Sequence, residues 1–198
     1  MTDTYRTLKG PCKGLFKAKG SKHWGYGFPI TSEDEAKSIL DDLRKEHHTA
    51  RHVAFAWMLG FDGSHHRSSD DGEPNNSAGP PILGVIRANE LTQVLFAVVR
   101  YFGGTKLGVG GLMEAYREAT NEALKQGSIV ECIQTQRLSI QFAYEHMGTI
   151  MSLVKRWNLE PAQTQFDLSC SLQVDVRLTE VQPFMQAVLD TRVRKLSV

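Results

Sequence analysis

A chain of 198 residues with 41% hydrophobic content can build one domain or two small ones around a real core. Its 23 basic residues almost cancel its 22 acidic ones, which excludes a strongly basic, non-specific nucleic-acid binder. The longest strongly apolar run is the six residues "VLFAVV", which excludes a membrane-spanning helix.

The amino-terminal region is polar and lysine-rich, so no signal peptide is expected. Cys12, Cys132 and Cys170 are too few and too far apart for a disulfide framework or a Cys-x-x-Cys motif. A reducing cytoplasm is the expected location, and Cys132 and Cys170, in apolar surroundings, are expected in the core. Before Trp24 the basic residues are Arg6, Lys9, Lys13, Lys17, Lys19 and Lys22, with Asp3 the sole acid, which makes a local cationic segment.

In chain order, "GLFKAKGSKHWGYGFPI" is aromatic, short in period and broken by glycines, and predicts a hairpin whose second strand ends at Pro29. "TSEDEAKSILDDLRKEHH" predicts a helix: Ser32 and Glu35 fit a capping box, and Ala36, Ile39, Leu40 and Leu43 share one face. "RHVAFAWML" predicts a strand, and a polar loop is expected from Gly60 to Gly79. "PPILGVIRANEL" predicts a short helix opened by prolines, which suit a first turn because their missing N–H would be unpaired there. Val94 to Val99 predicts a strand buried on both faces. Leu112, Ala115, Tyr116, Ala119 and Ala123 mark one face of a helix that ends near Gly127.

Beyond Thr135 the pattern becomes more regular. "RLSIQFAY" alternates, Met147 to Trp157 carries helical spacing, a short strand lies near Leu159 to Gln165, and Leu168 to Leu178 alternates strictly. A helix through Val181, Phe184, Met185, Val188 and Leu189 then leads to "TRVRKLSV". The order is β-α-β-β-α-β, the ferredoxin-like order. The fold class is therefore α+β, with domains expected at 1–130 and 131–198.

The stretch "RYFGGTKLGVGGL" sets five glycines beside Arg100 and Lys106 between a strand and a helix. Bare backbone there can aim N–H groups at an anion, with the helix dipole and two cations in support. It can equally be a tight connection whose glycines allow positive φ or close packing. No nucleotide fingerprint fits, because Lys106 precedes Leu107 and no Gly-x-Gly-x-x-Gly is present. In "SSDDGEPNNSAG", Asp70, Asp71 and Glu73 read either as Asx turns or as a magnesium holder or acidic partner loop, and their spacing is not that of a calcium loop. Five of the seven histidines fall between His47 and His66 without zinc-site spacing. No triad or nucleophile elbow is present, so no catalytic residue, metal ligand or cofactor is assigned. "KAKGSKHWGYGF" interleaves Lys17, Lys19, Lys22 and His23 with Phe16, Trp24, Tyr26 and Phe28, either as a stacking surface for nucleic acid or as core.

"ARHVAFAW", "SSDDGEP", "AGPPIL" and "RYFGGTKLGVGGL" in this order and spacing, over Lys17 to Leu124, resemble the Impact family, the YigZ-type proteins. The resemblance implies an N-terminal domain similar to domain IV of elongation factor G and to a ribosomal-protein fold with a left-handed β-α-β turn. It also implies a C-terminal ferredoxin-like domain similar to that factor's domain V. Family members are linked to translation. Eukaryotic ones restrain a stress kinase by binding its activator with the help of an extra N-terminal domain, for which no room is expected here. The shorter bacterial form is associated with RNA or the ribosome by fold similarity. Two departures stand out: Glu114 replaces a basic residue before Ala-Tyr and is expected in the first turn of its helix, and Asn75 and Asn76 follow Glu-Pro in place of small residues.

The expected function is a non-enzymatic, translation-associated regulator that binds RNA or the ribosome. Its grip would comprise Lys19, Lys22, Arg51, Arg100, Tyr101, Gly103, Gly104, Lys106, Gly108, Gly110 and Gly111. The alternatives are a magnesium-dependent enzyme acting on a phosphorylated small molecule and a regulator that binds a protein of the translation machinery. No membrane partner is expected.

Overall fold

The structure is a computed structural model that describes residues 3–166, 169–191 and 195–197. The chain divides into two units, one of Tyr5–Cys132 and one of Ile133–Val198 with Met1–Thr4. Up to Ile133 the elements run β1 (Thr4–Leu8), β2 (Cys12–Ala18), β3 (Ser21–Pro29), α1 (Glu33–Glu46), β4 (His52–Leu59), β5 (His65–Ser69), α2 (Gly79–Ala88), β6 (Val94–Tyr101), α3 (Gly108–Gln126) and β7 (Ile129–Ile133). Five strands make a sheet in the order β2-β3-β6-β4-β5, every neighbouring pair antiparallel. Because β3 and β4 each run antiparallel to β6 between them, they are parallel to one another and connected through α1, a split β-α-β unit.

β6 explains why its sequence is apolar at consecutive positions. Leu95, Ala97 and Val99 join Leu40 and Leu43 of α1 in one core, whereas Val94, Phe96 and Val98 join Ile82 and Ile86 of α2 and Tyr116 of α3 in another. Helices cover both faces of an antiparallel sheet, so the central strand has no polar side. α3 lies against β3 at close range: a Cβ on Gly25 would stand 2.1 Å from the carbonyl oxygen of Ala119. The predicted cap of α1 is present, with Ser32 Oγ accepting from the Glu35 N–H at 3.2 Å. The Glu35 carboxylate reaches back one residue beyond the cap and accepts from the Thr31 N–H at 2.8 Å.

Three short strands depart from the expected pattern. The segment read as a loop contains β5, registered on β4 from Phe55↔Ser69 to Leu59↔His65. β1 and β7 form a separate two-stranded sheet. No residue of β7 is fully buried, which leaves Cys132 half-buried instead of in the core.

In the second unit β8 (Thr135–Ala143), α4 (Met147–Arg156), β9 (Pro161–Phe166), β10 (Ser169–Arg177), α5 (Val181–Leu189) and β11 (Lys195–Ser197) follow one another. The sheet order is β11-β8-β10-β9, all antiparallel. Leu138, Ile140 and Phe142 of β8 pack with Ile150, Leu153, Leu172, Val174 and Phe184. The Asp3 carboxylate accepts from Arg177 and Thr179, which holds it well below the usual carboxylate range. Leu168, where the alternating run was expected to begin, and residues 192–194 and 198 of the last run lie outside the described residues. Among the described residues no helix is long and apolar enough to cross a membrane.

Candidate functional site

The apolar run of β6 ends at Arg100, which sits opposite His23 of β3 and His52 of β4 in the two ladders. Although Arg100 is only 8% exposed, its charge is matched: Nη1 donates to Glu73 Oε1 at 2.6 Å, and the Tyr116 hydroxyl donates to the same oxygen at 2.8 Å. A buried cation next to a buried carboxylate satisfies both, at the cost of desolvating each. The match is incomplete, since Arg100 Nε has no partner among the described residues. The guanidinium carbon lies 5.6 Å from the ring centre of Phe102.

Beneath this pair His23 is fully buried, its ring edge-on to Tyr116 at 5.5 Å, with neither ring nitrogen partnered among the described residues. Burial first, and then the Arg100 charge, push its pKa down to about 4, against an opposing pull from Glu73. His23 is thus a neutral core residue at physiological pH. Of the two readings of "KAKGSKHWGYGF", His23 follows the core one and is no part of a cationic surface. Tyr26 belongs to the core too, and Phe16 and Phe28 pack partly buried against it.

The acidic loop is a structural element. Asp70 Oδ1 accepts from the Ala78 and Gly79 N–H groups, each at 2.9 Å, and Oδ2 accepts from Asn76 at 2.8 Å, so this side chain caps α2 from outside. Asp71 Oδ2 accepts from the Val53 N–H at 2.7 Å, and its carbonyl accepts from His52 Nδ1 at 2.8 Å. Asn76 has φ +62°, a conformation asparagine tolerates better than most residues, which accounts for one of the two asparagines after Glu-Pro. The acidic and glycine-rich segments meet through Glu73, an answer the spacing alone did not contain. No group of three His, Cys, Asp or Glu side chains converges on one point among the described residues.

In the glycine-rich segment the glycines differ in what, if anything, requires them. A Cβ on Gly103 would stand 1.9 Å from the carbonyl carbon of Gly20, and its N–H donates to Ser21 Oγ at 3.0 Å. That amide is spent on the fold, so Gly103 leaves the predicted grip. Gly104 and Gly108 have φ +90° and +74°, the left-handed region. Gly110, in the first turn of α3, has no neighbour within 4 Å of a Cβ and no left-handed backbone, so nothing in the fold requires a glycine there. Among the described residues no side chain caps this helix. Glu114, expected in the first turn, lies beyond it because α3 begins at Gly108, and that turn contains no acid.

A cavity of about 860 Å³ opens over this first turn, with Arg51, Arg100, Tyr101, Phe102, Lys106 and Gly108 in its wall. Arg51 and Lys106 are exposed, and neither forms an ion pair or hydrogen bond among the described residues. Of the predicted residues, Lys22 lines a second hollow of about 480 Å³ beside Lys13, Trp24 and His47. Lys19, with φ +44°, forms the two-residue turn of the β2–β3 hairpin with Gly20 and lines neither. Gly104, Gly110 and Gly111 are outside both walls. Phe102 and Val109, both exposed, were not among the predicted residues, and Lys13 was read only as part of the amino-terminal cationic segment. The available signal was a large apolar residue directly before a glycine pair, where no partner pattern could bury it.

The model of the Impact N-terminal domain matches residues 19–124. The IMPACT family member YigZ of Escherichia coli K12 is 30% identical over 159 residues, covering 79% of this chain and 78% of its own. The IMPACT family member YvyE of Bacillus subtilis 168 is 37% identical over 61% of this chain, and the match spans only 56% of YvyE. The crystal structure of a hypothetical protein, 26% identical, superposes with a TM-score of 0.74 over all of this chain and 97% of its own.

Proposed function

The chain belongs to the Impact family, and from that premise we propose that it is a non-enzymatic, translation-associated regulator that grips the phosphates of RNA, free or on the ribosome. The observation that carries this reading is the uncapped first turn of α3, opening beside two cations that are unpaired among the described residues, Arg51 and Lys106. The first N–H groups of a helix have no partner within it, and the aligned peptide dipoles put about half a positive charge at that end. An anion entering the cavity would meet donors and positive charge already in place. Arg100 contributes the floor of this grip, with part of its charge answered by Glu73. The carboxylates that magnesium-dependent phosphoryl transfer would need are occupied by backbone amides, a guanidinium and a hydroxyl.

The same reading assigns the N-terminal domain, 1–130, to the elongation factor G domain IV-like fold with its left-handed β-α-β turn. It assigns 131–198 to the ferredoxin-like fold, a reading supported by the strand order of the second sheet. The cytoplasm is the compartment where such a partner is met. The test is RNA affinity across a salt series for the wild type and an Arg51→Ala/Lys106→Ala variant. With about 0.7 of log–log slope per single-strand phosphate contact, the variant is expected to lose about 1.4 of slope. A flat wild-type response, or a slope the variant leaves unchanged, rejects the grip.

A further inference from the structure

The two hollows are continuous in their walls: Tyr101 and Phe102 line both. Phe102 is 58% exposed, with the Arg100 guanidinium 5.6 Å from its ring centre. A phenylalanine this far in water forfeits most of what its burial would contribute. Its neighbour is immobilised: the Tyr101 hydroxyl is 2.8 Å from His47 Nδ1, and His47 Nε2 is 2.6 Å from the Tyr26 hydroxyl. In the second hollow the Lys13 ammonium stands 4.7 Å from the centre of the Trp24 ring. Neither Lys13 nor Lys22 has a carboxylate partner among the described residues. An aromatic ridge is therefore flanked by Arg51 and Lys106 in the first hollow and by Lys13 and Lys22 in the second, none of them ion-paired among the described residues, while the Glu73 carboxylate in the first wall is answered by Arg100. On the α3 side, Arg100 is nine-tenths buried, lines the cavity, and has no partner for Nε among the described residues.

Cations that alternate with exposed rings match the alternation of phosphate and base in an unpaired strand. A duplex keeps its base faces stacked on one another and cannot offer one to Phe102. We infer that the two hollows are consecutive phosphate subsites for one single strand of RNA, with the intervening base stacked on Phe102. This inference rests on the RNA-binding reading and adds strand selectivity and a path to it.

The probe is a labelled octanucleotide of RNA, alone and annealed to its complement, titrated into the full chain and into Phe102→Ala, Phe102→Tyr and Lys22→Ala variants. The single strand is expected to bind about 10-fold tighter than the duplex, and Phe102→Ala to weaken only the single strand, by about 10-fold. Phe102→Tyr, which keeps the ring, should retain affinity, and Lys22→Ala should lower the salt slope by about 0.7. Because the Phe102 ring is largely in solvent, the alanine variant is expected to keep its thermal midpoint. Equal affinity for strand and duplex, or a Phe102→Ala variant that binds like the wild type, overturns the strand path. If Arg51→Ala/Lys106→Ala still loses slope in that case, the phosphate grip survives. Absence of binding by every probe overturns both.

Discussion

The residues beneath the cavity make a polar knot in an apolar core: Arg100, Glu73, Tyr116 and His23. Removing Glu73 would leave Arg100 charged and buried with no counter-charge, so Glu73→Ala is expected to destabilise the fold by about 3–5 kcal/mol in denaturant titration. Glu73→Gln keeps an acceptor for the Tyr116 hydroxyl and should cost less. His23 has the opposite difficulty, since its charged form is the costly one. With a folded pKa of about 4 against an ordinary 6.5, the unfolded chain takes up a proton first as the pH falls. Stability is then full above pH 6.5 and declines by about 3 kcal/mol toward pH 4. His47, also lowered by burial, acts in the same direction. Denaturation midpoints at pH 7.5, 5.5 and 4 should follow this decline, and His23→Phe should remove most of it; a flat wild-type profile would contradict the burial argument. None of this was legible in one dimension. Glu73 stands in a string of turn residues, and His23 sits among lysines, where its burial beneath α3 leaves no local mark.

Among the elements, α3 joins packing and binding most directly. Its buried face was legible because Leu112, Tyr116, Ala119 and Ala123 recur at helical spacing. Its exposed first turn was legible only as a run of glycines with two competing explanations, and the structure divides them residue by residue. Gly103 serves the β2–β3 turn, whereas Gly110 serves nothing within the fold. Gly110→Ala is thus expected to stabilise the protein by about 0.5–1 kcal/mol, the usual gain in helix propensity. A raised thermal midpoint would support that division; a lowered one would contradict it. The short strands were illegible for a different reason. β5, "HHRSS", has no apolar residue to alternate, and it is a strand because its backbone pairs with β4. Pairing of this kind is set by the partner, which periodicity cannot report.

At the scale of the molecule, both hollows belong to the unit Tyr5–Cys132. The order of elements in the other unit was readable in advance, since strict alternation in β8 and β10 and helical spacing in α4 and α5 are strong local signals. The cavity was only half readable. Arg100, Tyr101, Lys106 and Gly108 are close in the chain, whereas Arg51 arrives from the start of β4 through the ladder that sets His52 opposite Arg100. The central claim is that the amides opening α3 receive a phosphate, and the most direct measurement is a backbone amide NMR titration with a single-stranded RNA octanucleotide at low and high salt. The account predicts that the resonances of Gly108, Val109 and Gly110 shift on titration and that the shifts collapse as salt rises. Resonances of residues 108–110 that stay fixed while others respond would contradict it.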